Sequence, residues 1–320
     1  MAVGHAFTTT FGAIFQLVLI GLVGFLLVRR KTVSESGLNM IGGLVINVFL
    51  PLLMFTEIIR RFDVRSFPDW WVFPLLSLAV TGAGLLAGYI VLRADDHIAH
   101  PREFLSLTAF QNSGYLPLPL VAALLPRPQA DIMFIYIFLF LLAFNMTIFS
   151  VGYFLLNPAA DRRFDPRTMF NPPVIATLAA LLVAFARAGR FFPEVVVEPA
   201  AVLGRCAIPL SILVVGGNLA LMRVERSAAR PLTYALLIKL VILPLFFLSL
   251  VVFLRIPAMM GFLLVLQAAM PPAVLLSVVC RSQDCGDKLV SPAIFYGHAL
   301  SIVTVPLVLA LFRVFSRVLY

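Results

Sequence analysis

This chain has little charge: charged residues make up 12% of its 320 positions, against 62% hydrophobic ones. That balance excludes an ordinary water-soluble domain. Cysteine is scarcer still, with Cys206 inside an apolar stretch and Cys280 and Cys285 at the end of another. Neither spacing suits a zinc site, no metal or other cofactor is expected, and no disulfide framework is implied. The apolar stretches offer no HExxH, no acid pair and no Ser-His-Asp order, so a membrane-embedded enzyme finds no support. Carboxylates are missing altogether from 105–125 and 262–279. No basic residue precedes the first apolar run, and Arg29, Arg30 and Lys31 follow it, which is a stop-transfer pattern rather than a cleavable leader. No appended soluble domain is expected.

What is abundant is apolar sequence in long runs. In lipid only a helix satisfies its own backbone, so runs of about 18 residues or more read as membrane-spanning helices. Ten spans are expected, at 9–28, 38–58, 69–92, 104–125, 131–156, 172–186, 197–221, 231–254, 258–280 and 291–312. The sixth is short, but Asn171-Pro172-Pro173 gives it a clear start, since proline fits a first helical turn. The net charge of +9 sits in short basic clusters between spans. It therefore points to positive-inside topology and not to nucleic acid. With the N-terminus outside, the inner connections carry 13 Arg and Lys and the outer segments 9, which puts both termini outside and the linker inside. The expected location is a multi-pass protein of the cell membrane, the bacterial inner membrane.

Two spans are written to break. In AFQNSGYLPLPLV at 109–121, Pro117 and Pro119 lack the N–H groups that would bond the carbonyls of Ser113 and Tyr115, and Gly114 loosens the same spot. In QAAMPPAVLL at 267–276, Gln267 stands ahead of Pro271 and Pro272 much as Gln111 stands ahead of Pro117. At about 1.5 Å per residue both breaks fall near the middle of a bilayer about 30 Å thick. Such a break persists only where it is buried in protein or lines a wet cavity. The most polar linker, 157–171, separates two sets of five spans; an odd number makes the halves face opposite ways. Pro51 precedes Gln111 by 60 residues and Pro209 precedes Gln267 by 58, and the residues four before these prolines, Asn47 and Arg205, are both polar. The fold expected is thus an all-α integral membrane protein of ten transmembrane helices in two inverted five-helix repeats, 1–156 and 172–320. Broken helices in matching positions of such repeats point to a secondary transporter's binding site.

Four motifs in order, NVFLPLLMF at 47–55, FQNSGYLPLPL at 110–120, NPPVIATLAAL at 171–181 and IKLVILPL at 238–245, resemble the auxin efflux carrier family over essentially the whole chain. That family is similar to the ten-helix bile acid transporter fold, so the resemblance implies that helices 4 and 9 are unwound and cross at the substrate site. Its prokaryotic members include malate and malonate permeases and its plant members export auxin. The short linker resembles the prokaryotic members.

The second half-helices begin near Pro117 and Pro271 or Pro272, where free backbone N–H groups can meet an anion. Gln111, Asn112, Ser113, Gly114 and Gln267 supply neutral donors and acceptors beside them; the plainer reading is hydrogen bonding that holds the crossing together. Lys239 and Arg205 are the only cations well inside a span, either binding an anion or snorkelling, with Glu198 a partner for Arg205. Glu57 reads as an ion pair with Arg60 and Arg61. His298 is a candidate proton relay, or a buried histidine bonded to a serine or carbonyl. Asn145 and Asn218 read as interhelical bonds, and Gly84 and Gly88 as helix packing. The expected function is a permease for a small organic anion, a carboxylate such as malate or malonate or an auxin-like acid stacked on Tyr115 or Tyr296. Protons are the expected coupling ion, if any, and the bilayer the partner; a homodimer is compatible with the chain. A channel or a non-transporting sensor is the alternative.

Overall fold

The computed structural model describes residues 2–157, 166–222, 229–282 and 288–319. Among these residues the fold is helical throughout, with no strand beyond a single bridge. Residues 158–165 of the linker, Arg162 and Arg163 among them, lie outside these.

Among the described residues, seven helices are long and apolar enough to cross a membrane. They are α1 (Ala2–Arg29), α2 (Glu35–Arg61), α3 (Val72–Ala94), α6 (Arg127–Leu156), α8 (Glu194–Leu221), α9 (Ala229–Leu254) and α12 (Val290–Leu319). Between them lie the shorter α7 (Pro172–Phe185) and four half-length pieces, α4 (Pro101–Ala109), α5 (Pro117–Leu124), α10 (Ala258–Ala269) and α11 (Leu275–Ser282). Sequence signals set several of the ends. Ser34 caps α2 by accepting from the Gly37 N–H, and Asn171 caps α7 by accepting from the Val174 N–H at 3.1 Å, directly before Pro172. Prolines inside long helices are absorbed by widened turns: π-helical turns at Val45–Phe49 and Ile238–Ile242 precede Pro51 and Pro244. The extra residue relieves the clash between the ring and the preceding turn.

α1 lies along α8 and α12, while α2 lies along α7 and the first part of α8; α3 packs with α4 and α6, and α9 with α10 and α12. At Gly24 and Gly216 the α1 and α8 backbones approach so closely that a Cβ would overlap a facing carbonyl, of Leu213 and Gly21 respectively. Gly84 and Gly88 do the same work for α3 against Thr108 of α4. Large apolar side chains such as Leu86, Ile90, Leu182 and Phe253 point outwards, as a lipid-facing surface requires. One expectation is corrected: Cys280, in the last turn of α11, is disulfide-bonded, whereas Cys206 is free.

Candidate functional site

The chain leaves helical geometry at Phe110, just past α4, and again at Met270, just past α10; both residues are extended. The two breaks meet. Gln111 and Pro272 form an antiparallel bridge, in which the Asn112 N–H donates to the Pro271 carbonyl at 2.8 Å and the Ala273 N–H donates to the Phe110 carbonyl at 3.1 Å. Backbone groups freed by one break are therefore satisfied by the other, which is how irregular backbone survives at this depth. The carbonyls that the prolines of α5 leave without a donor are also claimed from a distance. Ser113 O accepts from Gln267 Nε2 at 3.1 Å, and Tyr115 O accepts from Ser211 Oγ at 3.2 Å. Gly297 of α12 admits the Pro272 ring, since a Cβ there would stand 2.8 Å from Cδ.

Lys239 lies under the first break. It is fully buried, rises from the widened turn of α9, and places Nζ 3.1 Å from Thr108 O, 3.2 Å from Ala109 O and 3.1 Å from Gln111 Oε1. An ammonium has three donors and no acceptor, so all three protons find oxygen. The same argument fixes the Gln111 amide, because only its oxygen can face Lys239. Gln111 Nε2 is then left buried with no partner.

A cavity of about 540 Å³ opens onto this crossing. Its mouth is marked by Glu35 at the start of α2 and Asn171 at the start of α7; its floor is Gln111, Asn112, Ser113, Gly114 and Tyr115, with Ala273 and Val274 from the second break. Phe144, Asn145 and Phe149 of α6 and Asn218 of α8 form the walls. Among the described lining residues Glu35 is the one that is charged, whereas six carboxamides face the cavity, on Asn39, Gln111, Asn112, Asn145, Asn171 and Asn218. Asn171 Nδ2, like Gln111 Nε2, is a buried donor without a partner.

A second, apolar cavity of about 290 Å³ lies between α1, α5, α8 and α12. His298 lines it, and Asn112 lines the first, with Asn112 Nδ2 and His298 Nε2 3.3 Å apart. His298 Nδ1 lies 2.9 Å from the Ile294 carbonyl, which can only accept, so Nδ1 carries the proton and Nε2 accepts from Asn112.

Of the residues singled out from sequence, Gln111, Asn112, Ser113 and Gly114 share the cavity floor, Gln267, Pro271 and Pro272 form the facing break, and Pro117 starts α5. Lys239 supports the floor from behind and does not line it. Two others lie elsewhere. Asn47 is exposed in the π turn of α2, and Arg205 is half exposed and bound to Glu198 at 2.8 Å. Glu198 also binds Arg60 at 2.8 Å, while Glu57 pairs with Arg61 at 2.6 Å. Tyr115 lines the cavity and Tyr296 does not. Asn218 Nδ2 donates to Val214 O of its own helix at 2.9 Å, and both Asn218 and Asn145 face the cavity. Sequence reasoning missed Asn39, Asn171 as a lining group, Ser211 and Gly297. A polar residue inside an apolar span was the available signal for Ser211.

A family model described as a membrane transport protein matches residues 9–167 and 162–309. Over 92% of its length the chain is 25% identical to an uncharacterized transporter of Methanothermobacter thermautotrophicus, covering 95% of that protein. It is 23% identical to Protein PIN-LIKES 1 of Arabidopsis thaliana over 93% of this chain and 77% of that one. Against Protein PIN-LIKES 2 of the same plant, identity is 31% over 34% of this chain, and the match spans only 25% of the relative.

Proposed function

Since the chain belongs to the membrane transport protein family, we propose that it is a secondary transporter for a small organic anion, worked by alternating access around the two broken helices. The observation that carries this reading is the pair of buried donors without partners, Gln111 Nε2 and Asn171 Nδ2, in a cavity floored by the crossing. Leaving such a group unsatisfied costs about 1–3 kcal/mol, and an acceptor-rich ligand removes that cost. The N-termini of α5 and α11 add a partial positive potential of about half an elementary charge each. Neutral amides and helix ends bind a carboxylate more weakly than buried arginine would, which suits a site that must also release.

In this reading the residues 1–156 and 172–320 are inverted repeats of five helices each. The exchanged packing of α1 on α8 and α2 on α7, and a break in the fourth helix of each half, support that division. Both termini are outside, the linker is inside, and the cavity faces the cytoplasm. A channel is the rival reading, and currents without saturable flux would favour it. His298 serves as the proton relay, since protonating Nε2 would set two donors face to face and part it from Asn112.

Malate or malonate is the preferred substrate. An aromatic acid is the second reading, favoured by Tyr115, Phe144 and Phe149 in the wall and by a volume within the roughly 300–1,000 Å³ of drug-sized sites. A thermal-shift screen of purified protein against carboxylates tests both. A ligand at one hundred times its Kd adds about 2.7 kcal/mol of apparent stability. Carboxylates should stabilise the protein; stabilisation by neutral or cationic compounds alone would overturn the anion reading.

A further inference from the structure

Among the described residues Lys239 is the one buried cation, its three protons are all engaged by the broken helix, and nothing in the transport reading above requires it. Its acceptors are of a particular kind. Thr108 O and Ala109 O are the last carbonyls of α4, left without helical donors because the chain unwinds and the Asn112 N–H turns to Pro271. Carbonyls at the C-terminal end of a half-helix carry partial negative charge, and with unwound backbone they form the sites at which transporters hold an alkali cation. Here that oxygen set, completed by Gln111 Oε1, is filled by a side chain of the protein itself.

We propose that Lys239 is a tethered cation: it occupies an internal cation site at the end of α4, frees substrate binding from any need for sodium, and fixes Gln111 as a donor towards the cavity. This rests on the anion reading for the identity of the substrate but not for the cation site. An alkali ion at the same place would come and go with the sodium concentration; a lysine held by its stem does not. The second consequence is specificity. Because the ammonium accepts nothing, Gln111 must turn Oε1 to it and present two N–H groups to the ligand. The floor then selects carboxylates over amines. Lys239 is a positioning residue, acting on the ligand through Gln111.

The test uses purified full-length protein with sodium and methylammonium as cation probes, choline as the inert replacement, and malate as the anion probe. In wild type, replacing sodium by choline at fixed pH and membrane potential should change neither the malate-induced Tm shift nor flux in proteoliposomes. Lys239→Ala should lose at least tenfold in malate affinity, and its Tm should rise saturably with sodium or methylammonium but not with choline, with malate affinity recovering in parallel. Lys239→Gln, which keeps a donor and most of the volume, is the second variant and should show the same loss without cation rescue. The proposal is overturned if wild type requires sodium, a result that needs no variant to fold. It is equally overturned if Lys239→Ala keeps its malate affinity or its Tm ignores every small cation. If wild type responds to no carboxylate, the anion reading fails alone, and the cation response of Lys239→Ala still decides the site.

Discussion

The two breaks share a backbone plan and differ in electrostatics. At the first, the exposed end of α4 meets the Lys239 ammonium and the Gln111 amide is held by it. At the second, Gln267 spends its Nε2 on Ser113 O, and its Oε1 is buried without a partner. Ser77 and Thr81 of α3, a helix that packs chiefly on α6 and α4, also carry buried hydroxyls without partners. The first break is thus fixed by a charge, while the second retains one unused acceptor. In the proposed alternating-access reading, geometry that looks symmetric divides the labour: the first break would set what is bound, and the second would rearrange as the cavity changes sides.

Removing the charge should separate the two most strongly. Lys239→Met leaves three oxygens unpaired in a dry site and is expected to cost about 3–5 kcal/mol, by analogy with a buried pair losing one member. Gln267→Met removes one donor and one already unpartnered acceptor and should cost about 1–3 kcal/mol. Denaturation of the two variants in one detergent measures the difference; equal losses would erase the distinction between the breaks.

Restoring helix comes next. Pro117→Ala supplies an N–H that competes with Gln267 for Ser113 O, and Pro272→Ala supplies one that can close a helical bond to the Ala268 carbonyl. Each should lower flux at least tenfold while protein stays in the membrane, as quantitative immunoblots of membranes beside uptake assays would show. Unchanged flux would mean that the prolines are merely tolerated kinks.

His298→Gln keeps a neutral side chain able to accept from Asn112 but cannot titrate. It should flatten the pH dependence of flux, with malate affinity changed less than threefold. A pH profile identical to wild type would remove His298 from the coupling.

The smallest effect belongs to Arg205→Ala. Its bond to Glu198 joins two half-exposed side chains, so the loss should be within about 1 kcal/mol after solvent screening, and flux should be unaltered. A large loss of malate affinity would return Arg205 to the site.

What the sequence made legible was local. Pro117, Pro271 and Pro272 announce their breaks because a missing N–H acts on the carbonyl four residues away, and Asn171 announces the start of α7 for the same reason of reach. The partners were not legible, because they come from far along the chain: Lys239 is 128 residues from Gln111, and Gln267 is 154 from Ser113. Direction was equally hidden. A lysine in a span can snorkel or turn inwards, and only the widened turn before Pro244, set against α4, turns Lys239 inwards. Asn145 and Asn218 read as ordinary interhelical bonds because nothing in either helix shows that it faces a cavity. Asn47 and Arg205 matched each other in sequence position, yet both ended on the surface of the helix that carries them.

Uptake of labelled malate into proteoliposomes, comparing wild type with Gln111→Leu, tests the central claim most directly. The account expects saturable uptake by wild type, competed by other carboxylates and not by amines, and at least a tenfold loss in the variant, whose cavity floor no longer offers the Gln111 N–H groups. Uptake that Gln111→Leu leaves intact, or that amines compete as well as carboxylates do, would contradict it.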